Sequence, residues 1–294
     1  MKKRVLALGA AAVLALSLTA CGSSQKTETT AAAADTTAVG SEAAADTTAA
    51  SGEKTVIKLG VVGENNEQWQ PVIDKLAEEN IDLELVKFAD YPLPNRALND
   101  GEIDLNSFQH IAYFEDDCKN NGYDLSIIGE TIMAPLGLYS NKIKDVSEIK
   151  DGDIIAIPND ATNGGRALLL LEANGLIKLN PDAGVTATKL DITENPYNLE
   201  IVEMEAAQLP LSLGDLGFAA INANYALQNK LTQDDALATE DAESVAAKTY
   251  GNVVVVKEGN ENLPGIAELM EVLHGQTVVD FINNTYGGAV APLQ

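Results

Sequence analysis

The chain has 294 residues, a formal net charge of −25 and only two cysteines, Cys21 and Cys118. A charge of this sign repels the phosphates of nucleic acids and anionic lipid headgroups, so the composition excludes nucleic-acid binding. Two cysteines also exclude a disulfide framework, and the fold must therefore be stabilised by a hydrophobic core.

The N-terminus has the order of a secretory signal peptide. Three basic residues, 2–4, precede an uncharged apolar run from Val5 to Ala20, which is too short for a bilayer that needs about 20 apolar residues. Residues 18–21, Leu-Thr-Ala-Cys, have the form of a lipobox. We predict that residues 1–20 are removed and that acylation of Cys21, palmitate included, anchors the protein at the extracytoplasmic face of the cell membrane. The alternative is an ordinary signal peptide with Cys21 present by chance.

Residues 21–54 are predicted to be the lipidated cysteine and a disordered tether. After Cys21 they are nearly all Ala, Thr, Ser, Gly, Asp and Glu, with no aromatic residue, and the sequence ADTTA occurs at 34–38 and 45–49. Such a segment buries too little apolar area to offset its chain entropy. An Ala-rich helix is the alternative, and the threonines disfavour it.

From residue 55 onward, apolar runs of strand length alternate with helical patterns, which predicts an α/β fold whose parallel sheets carry helices on both faces. About 240 residues suit two lobes. We assign residues 55–139 plus 249–294 to lobe 1 and residues 140–248 to lobe 2, with a ligand cleft between them at the carboxyl ends of the strands.

The Asp-rich stretch 232–248 is predicted to be a surface excursion. The predicted strands are 56–62, 83–88, 125–132, 153–157, 199–204, 217–221 and 252–257, and the clearest helices are 165–173 and 264–273.

Enzyme motifs are missing from the sequence. It contains no Walker loop, no GxGxxG after the first strand, no HExxH and no GxSxG. Of the two histidines, His274 precedes a glycine and fits a helix end. The lone Cys118 lies among acidic neighbours that do not stabilise a thiolate, which favours a structural role. We therefore predict a protein that is not an enzyme and that needs no metal and no cofactor.

A turn over residues 157–166, IPNDATNGGR, leads from a strand into a helix. Thr162 or Asn163 is predicted to cap that helix, and the two glycines allow a close approach of the backbone to a ligand. Arg166 adds a planar fork suited to a carboxylate. A carboxylate site is therefore one interpretation. A plain capped helix whose arginine pairs with a surface acid is the other.

Two further segments follow strands, where binding loops belong. Residues 90–96 and 106–114 supply Tyr91, Phe108, His110 and Tyr113, which can form an aromatic slot for a thin, polarisable side chain. The alternative is that the phenylalanines are core and that His110 is structural. Trp69 has the same two interpretations, as a cleft wall or as packing.

Asn222 ends a buried strand at its carboxyl edge. Its amide oxygen can accept a hydrogen bond from a ligand ammonium without adding a charge to the site. A turn-forming asparagine is the alternative.

Together these clusters resemble the methionine-binding lipoprotein family of ABC importers, the NlpA-type solute-binding proteins. The resemblance runs in order from about Val56 to Val256. Several relatives have an aromatic residue just before the Pro-Leu of PLGLYS, where this chain has Met133 and Ala134. The resembling segments are DYPLPNRAL, GEIDLNSFQHIAYF, PLGLYSNKIK, IPNDATNGGRALLLLEANGLIKL, DITENPYNLEIVE, AAQLP and AINANYAL.

The resemblance implies a two-lobed periplasmic-binding-protein-like fold of type 2 that closes on one zwitterionic amino acid, most simply L- or D-methionine. By this analogy Arg166 holds the ligand carboxylate and Asn222 holds the ammonium. The implied partners are a membrane permease and its ATPase, with the binding protein itself a monomer. The alternatives are another small apolar amino acid, a methionine dipeptide, or a sensor or adhesin lipoprotein. The remaining implied ligand-binding residues are Tyr91, Asn95, Phe108, His110 and Asn163.

Overall fold

A computed structural model describes residues 54–240, 249–287 and 289–293. The predicted signal peptide and the predicted tether, except Lys54, lie outside the described residues. Within the described ranges, no helix has both the length and the apolarity needed to cross a membrane.

The described residues alternate strands and helices as predicted. The strands are β1 Thr55–Val62, β2 Ile81–Phe88, β3 Leu105–Asn106, β4 Leu125–Met133, β5 Gly137–Tyr139, β6 Ile154–Pro158, β7 Lys178–Leu179, β8 Ile192–Glu194, β9 Glu200–Met204, β10 Phe218–Ile221, β11 Ala236–Thr239, β12 Gly251–Lys257 and β13 Ala291–Pro292. The helices are α1 Gln70–Glu78, α2 Pro92–Asn99, α3 Ile111–Asn121, α4 Ala161–Ala173, α5 Leu209–Ser212, α6 Ala223–Gln228, α7 Ile266–Leu273 and α8 Gln276–Tyr286.

The larger strands form two sheets. The first has the order β13-β4-β12-β3-β1-β2, and the second has the order β11-β5-β10-β6-β9. Parallel pairs join β1 to β2 and β3 in the first sheet, and β6 to β9 and β10 in the second. The other pairings within these two sheets are antiparallel. Each sheet is therefore mixed, because strands such as β5 and β12 enter where the chain crosses from one sheet to the other.

The crossings define which part of the sequence builds which sheet. The chain leaves the first sheet at Met133, enters the second at Gly137 and re-enters the first at Gly251. The change of sheet thus falls at residues 134–136, slightly before the lobe boundary that we assign at residue 139. The division into two lobes with that boundary stays a prediction.

Each sheet carries its own apolar core. In the first, Leu59, Leu105 and Val254 are fully buried against helices α1 and α7. In the second, Ile155 and Phe218 are fully buried with the leucines of α4. Strands covered on both faces are expected to be continuous apolar runs, which is how they stand out in the sequence.

Helix α4 begins earlier than the sequence indicated. Its cap is Asp160 rather than Thr162 or Asn163, so the predicted caps are wrong. The backbone of Asp160 is extended, and its carboxylate accepts the N–H of Asn163 at 2.8 Å. Asp, Asn, Ser and Thr are all good caps, and the sequence alone did not distinguish among neighbouring candidates.

The Asp-rich stretch is not wholly a surface excursion, and that prediction is wrong for residues 236–240. Strand β11 pairs with β5 inside the second sheet. The following residue, Glu240, turns its carboxylate inward to Arg166, and only 14% of that side chain is exposed. Residues 241–248 lie outside the described part of the chain.

Gly165 lets helix α4 pack directly on the turn at residues 184–187. A Cβ at this position would collide with the carbonyl oxygen of Val185 and lie 2.9 Å from the amide nitrogen of Ala187. The glycine therefore serves packing inside the second sheet's core, not an approach to a ligand. Neither Gly164 nor Gly165 is among the residues that line the cavity described below.

We expect Gly165→Ala to lower the free energy of unfolding by about 1–3 kcal/mol, because backbone atoms on both sides must move to admit a methyl group. Urea unfolding measures this. Gly214→Ala is the matched control, since a Cβ there meets no atom within 4 Å. Equal stability of the two variants would contradict the packing role.

Candidate ligand-binding site

A cavity of about 90 Å³ lies where the ends of the two sheets meet. A single water needs about 10–15 Å³ by the same measure, so this space suits a small molecule of several heavy atoms. Its walls come from the first sheet, the second sheet and the helices beside them. The lining residues include Val62, Trp69, Tyr91, Ser107, Phe108, Gln109, His110, Tyr113, Thr131, Ile132, Ala134, Asn163, Arg166, Asn222, Asn224, Leu227, Asn252, Leu273, Ile282, Tyr286 and Val290.

The structure brings six of the seven predicted ligand-binding residues to this cavity. They are Tyr91, Phe108, His110, Asn163, Arg166 and Asn222. The seventh, Asn95, is not among the lining residues. Segments far apart in sequence therefore meet as predicted, with that one exception.

Asn95 lies behind the cavity in a fully buried amide network. Its Nδ2 donates to Gln109 Oε1 at 2.8 Å and to Asp117 at 2.7 Å. Its Oδ1 accepts from Asn106 at 2.9 Å and from Gln109 at 2.6 Å. These partners occupy both ends of the amide and connect Asn95 to the segment 106–110, while its contact with a ligand stays a prediction.

Asn163 connects the two sides of the cavity. Its side-chain oxygen accepts from Asn222 Nδ2 at 2.7 Å and pairs with His110 Nε2 at 3.2 Å. Its Nδ2 donates to both carboxylate oxygens of Asp160 at 3.1 Å. The amide of Asn163 is thus committed to other side chains, and its role at the cavity is to hold His110 and Asn222 in place.

His110 is neutral and its tautomer follows from its partners. Nδ1 accepts the backbone N–H of Tyr113 at 3.0 Å, so Nε2 carries the proton and donates to Asn163. Burial and, to a lesser extent, the nearby positive charge of Arg166 together lower the pKa of His110 to about 3.

Arg166 is the buried cation of the site, with 3% of its side chain exposed. Its Nε donates to Glu240 Oε1 at 2.8 Å, and its Nη2 donates to Glu240 Oε2 at 2.5 Å and to the carbonyl of Ala134 at 3.0 Å. The guanidinium carbon lies 4.4 Å from the ring centre of Tyr250, a cation–π arrangement. Among the described residues, no oxygen accepts from Nη1.

The arginine therefore combines both interpretations offered by the sequence. It pairs with an acid, as the plain capped-helix interpretation says, but that acid is largely buried. It also lines the cavity, as the carboxylate interpretation requires. One nitrogen remains for a further acceptor.

Two polar atoms on the cavity wall have no partner in the described structure. They are Asn222 Oδ1 and Trp69 Nε1, an acceptor and a donor on side chains that are 7% and 1% exposed. A buried polar atom without a hydrogen bond costs about 1–3 kcal/mol. Both side chains line the cavity, so a complementary group placed there would relieve that cost; Trp69 also packs in the core of the first sheet.

Three aromatic side chains, Tyr91, Phe108 and Tyr113, also line the cavity. The ring of Tyr91 lies 6.0 Å from Phe108 and 5.8 Å from Tyr113, and Phe108 lies 5.9 Å from Tyr113. The hydroxyl of Tyr91 donates to Asn224 Oδ1 at 2.7 Å. Burial raises the pKa of both tyrosines well above the ordinary value, so they stay neutral. The three predicted aromatic residues thus form one packed cluster that lines the cavity, and their role as a slot for a ligand side chain stays a prediction.

The described residues also bear on catalytic and metal-binding chemistry. Within residues 54–240, 249–287 and 289–293, no cluster of three or more His, Cys, Asp or Glu side chains is arranged for a metal ion. Burial raises the pKa of the Cys118 thiol to about 12, as does the neighbouring Asp117. His274 ends helix α7, as predicted, and its Nε2 contacts the carbonyl of Glu130 at 2.9 Å.

Sequence reasoning missed Glu240, which was treated as part of an acidic surface stretch. It also treated Thr131 and Ile132 only as the end of a strand, although both line the cavity. Strand β11 is short and flanked by acids, so nothing in its pattern marks Glu240 as inward-facing. Only the pairing of β11 with β5 brings it to Arg166.

We expect stability to depend on His110 between about pH 6.5 and pH 3. The unfolded chain binds a proton near the ordinary histidine pKa, whereas the folded chain binds it only near 3. The stabilisation is therefore complete above pH 6.5 and is lost as the pH falls, by an amount on the order of a few kcal/mol. Urea unfolding across this pH range should show a shallower decline for His110→Gln than for the unaltered chain. His274→Gln is the control, and an equal decline in all three proteins would contradict this role.

Comparison with known proteins agrees with this geometry. The sequence model of the NlpA lipoprotein family matches residues 57–294. The D-methionine-binding lipoprotein MetQ of Salmonella typhimurium is 44% identical over 240 residues, which cover 80% of this chain and 87% of that protein. Outer membrane lipoprotein 3 of Mannheimia haemolytica is 43% identical over 237 residues, with 80% and 89% of the two chains covered.

A solved structure extends the likeness to three dimensions. A nutrient binding protein from Burkholderia cenocepacia, solved bound to methionine, matches with a TM-score of 0.76 and 39% identity, covering 81% of this chain and all of that chain. The predicted two-lobed binding-protein fold is confirmed by this similarity. The chain belongs to the NlpA lipoprotein family.

Proposed function

We propose that this chain is the substrate-binding lipoprotein of an ABC importer and that it binds methionine, in its L or D form, for delivery to a membrane permease. The observation that carries the proposal is the pair of groups on one cavity wall: the Arg166 guanidinium and the unpartnered Asn222 Oδ1. The first suits an α-carboxylate and the second an α-ammonium, so together they match the common part of an amino acid.

The proposed side-chain subsite is the aromatic wall. The rings of Tyr91, Phe108 and Tyr113 pack against one another and together form an apolar surface on the cavity. A thioether gains about 0.3–1.5 kcal/mol from each sulfur–aromatic contact, which favours methionine over a purely aliphatic chain. The names of the Salmonella and Burkholderia relatives support the same ligand.

The mechanism that we propose is closure around the ligand. Arg166 and Asn222 belong to elements beside the second sheet, whereas Tyr91 and Phe108 follow strands of the first. A ligand that contacts both sets stabilises the closed form, which then docks on the permease and its ATPase. Membrane attachment through Cys21, a monomeric state and the absence of catalysis belong to this proposal.

A second candidate ligand is a methionine dipeptide. Trp69 Nε1 lines the cavity without a partner among the described residues, and a peptide carbonyl would supply an acceptor for it. Apolar side chains of Leu273, Ile282 and Val290 extend the wall on that side.

Isothermal titration calorimetry with L-methionine, D-methionine and methionine dipeptides tests the proposal. Arg166→Ala is expected to weaken methionine binding by about 100-fold, because the ligand carboxylate is left desolvated and unpaired. Circular dichroism checks that the variant is folded. Unchanged affinity in a folded Arg166→Ala protein would remove the arginine from the site, and no binding of any of these ligands to the unaltered chain would refute the function.

Asn222→Ala tests the ammonium contact separately. We expect methionine affinity to fall about tenfold or more, because the substitution removes the acceptor on the cavity wall. Asn229→Ala is the matched control: it removes an equivalent amide whose Nδ2 bonds to the carbonyl of Tyr225, away from the cavity lining. The same affinity in both variants would contradict the role of Asn222.

A further inference from the structure

Glu240 is placed to control which charges the cavity accepts, although it does not line the cavity itself. Its two oxygens bind Nε and Nη2 of Arg166, and Oε2 also accepts the backbone N–H of Leu136 at 2.8 Å. The backbone N–H of Glu240 donates in turn to the carbonyl of Leu136 at 3.0 Å. The carboxylate is therefore fixed against the arginine by the sheet.

This contact offsets the positive charge of Arg166. Arg166 is the one lining residue in the described chain that carries a formal charge, since His110 is neutral. The negative charge of Glu240 offsets it at hydrogen-bond distance. A further carboxylate, that of Asp160, accepts hydrogen bonds from Nδ2 of the lining residue Asn163. The wall thus presents a donor, Nη1, without presenting net positive charge.

This balance affects ligands of different charge in different ways. A zwitterion supplies a carboxylate for Nη1 and an ammonium for Asn222 Oδ1, and it brings no net charge into a buried site. A simple carboxylate brings an uncompensated negative charge close to Glu240 and leaves Asn222 Oδ1 unpaired. At protein-like dielectric constants a unit charge a few ångströms away changes an affinity by tenfold or more.

We infer that Glu240 is a specificity-determining residue that restricts the site to ligands without net charge and discriminates against carboxylates that lack an ammonium group. This inference rests on the proposed function, because it assigns the carboxylate of the ligand to Arg166. It adds a residue that positions the arginine and sets the charge preference of the cavity.

The test compares L-methionine with 4-methylthiobutanoate, which is methionine without its ammonium group, by calorimetry. For the unaltered chain we expect methionine to bind at least 100-fold more tightly. In Glu240→Gln, which keeps the shape of the side chain and removes its charge, we expect that ratio to fall by about tenfold or more, mainly through tighter binding of the anion. Asp234→Asn is the control, since it makes the same change of net charge at an exposed position of the same segment.

The outcomes separate this inference from the function on which it rests. If the unaltered chain binds methionine but Glu240→Gln changes both affinities by the same factor, Glu240 only supports the fold and the inference is overturned. It is also overturned, without any variant, if the unaltered chain binds both compounds equally. If the unaltered chain binds neither compound, the proposed function fails as well.

Discussion

The structure depends on burying one guanidinium. Arg166 is almost entirely removed from water, and a buried cation without partners costs several kcal/mol. The chain meets that requirement at the place where it crosses between its sheets: Ala134 supplies a carbonyl, Glu240 a carboxylate and Tyr250 an aromatic face. The arginine therefore joins the two points at which the chain crosses between the sheets, near Ala134 and near Glu240.

A second constraint keeps the rest of the cavity wall uncharged. Asn163 receives hydrogen bonds from His110 and from Asn222, and Asp160 holds Asn163 from behind. Because His110 stays neutral, it adds no competing cation next to Arg166. In this pocket, fixed amide dipoles orient a ligand, and Glu240 offsets the charge of Arg166. Such an arrangement suits a ligand that must be bound and then released, since no strong net charge traps it.

The sequence alone predicted most of the fold, because strands buried on both faces are continuous apolar runs that alternate with helical patterns. Six of the seven residues predicted from the sequence line one cavity, since loops that follow parallel strands share an edge of the sheet. Asn95 is not among the residues that line the cavity, and the sequence could not indicate this because a buried amide and a cavity-lining amide have the same sequence pattern. Glu240 was missed because its inward orientation depends on a four-residue strand pairing that no local periodicity indicates.

The most direct test of this account is a crystal structure of the protein grown with saturating methionine. The account predicts that the ligand carboxylate lies within hydrogen-bond distance of Arg166, that its ammonium lies at Asn222 Oδ1 and that its thioether lies against Tyr91 and Phe108. A bound ligand in the opposite orientation, or one outside the cavity between the two sheets, would contradict the central claim.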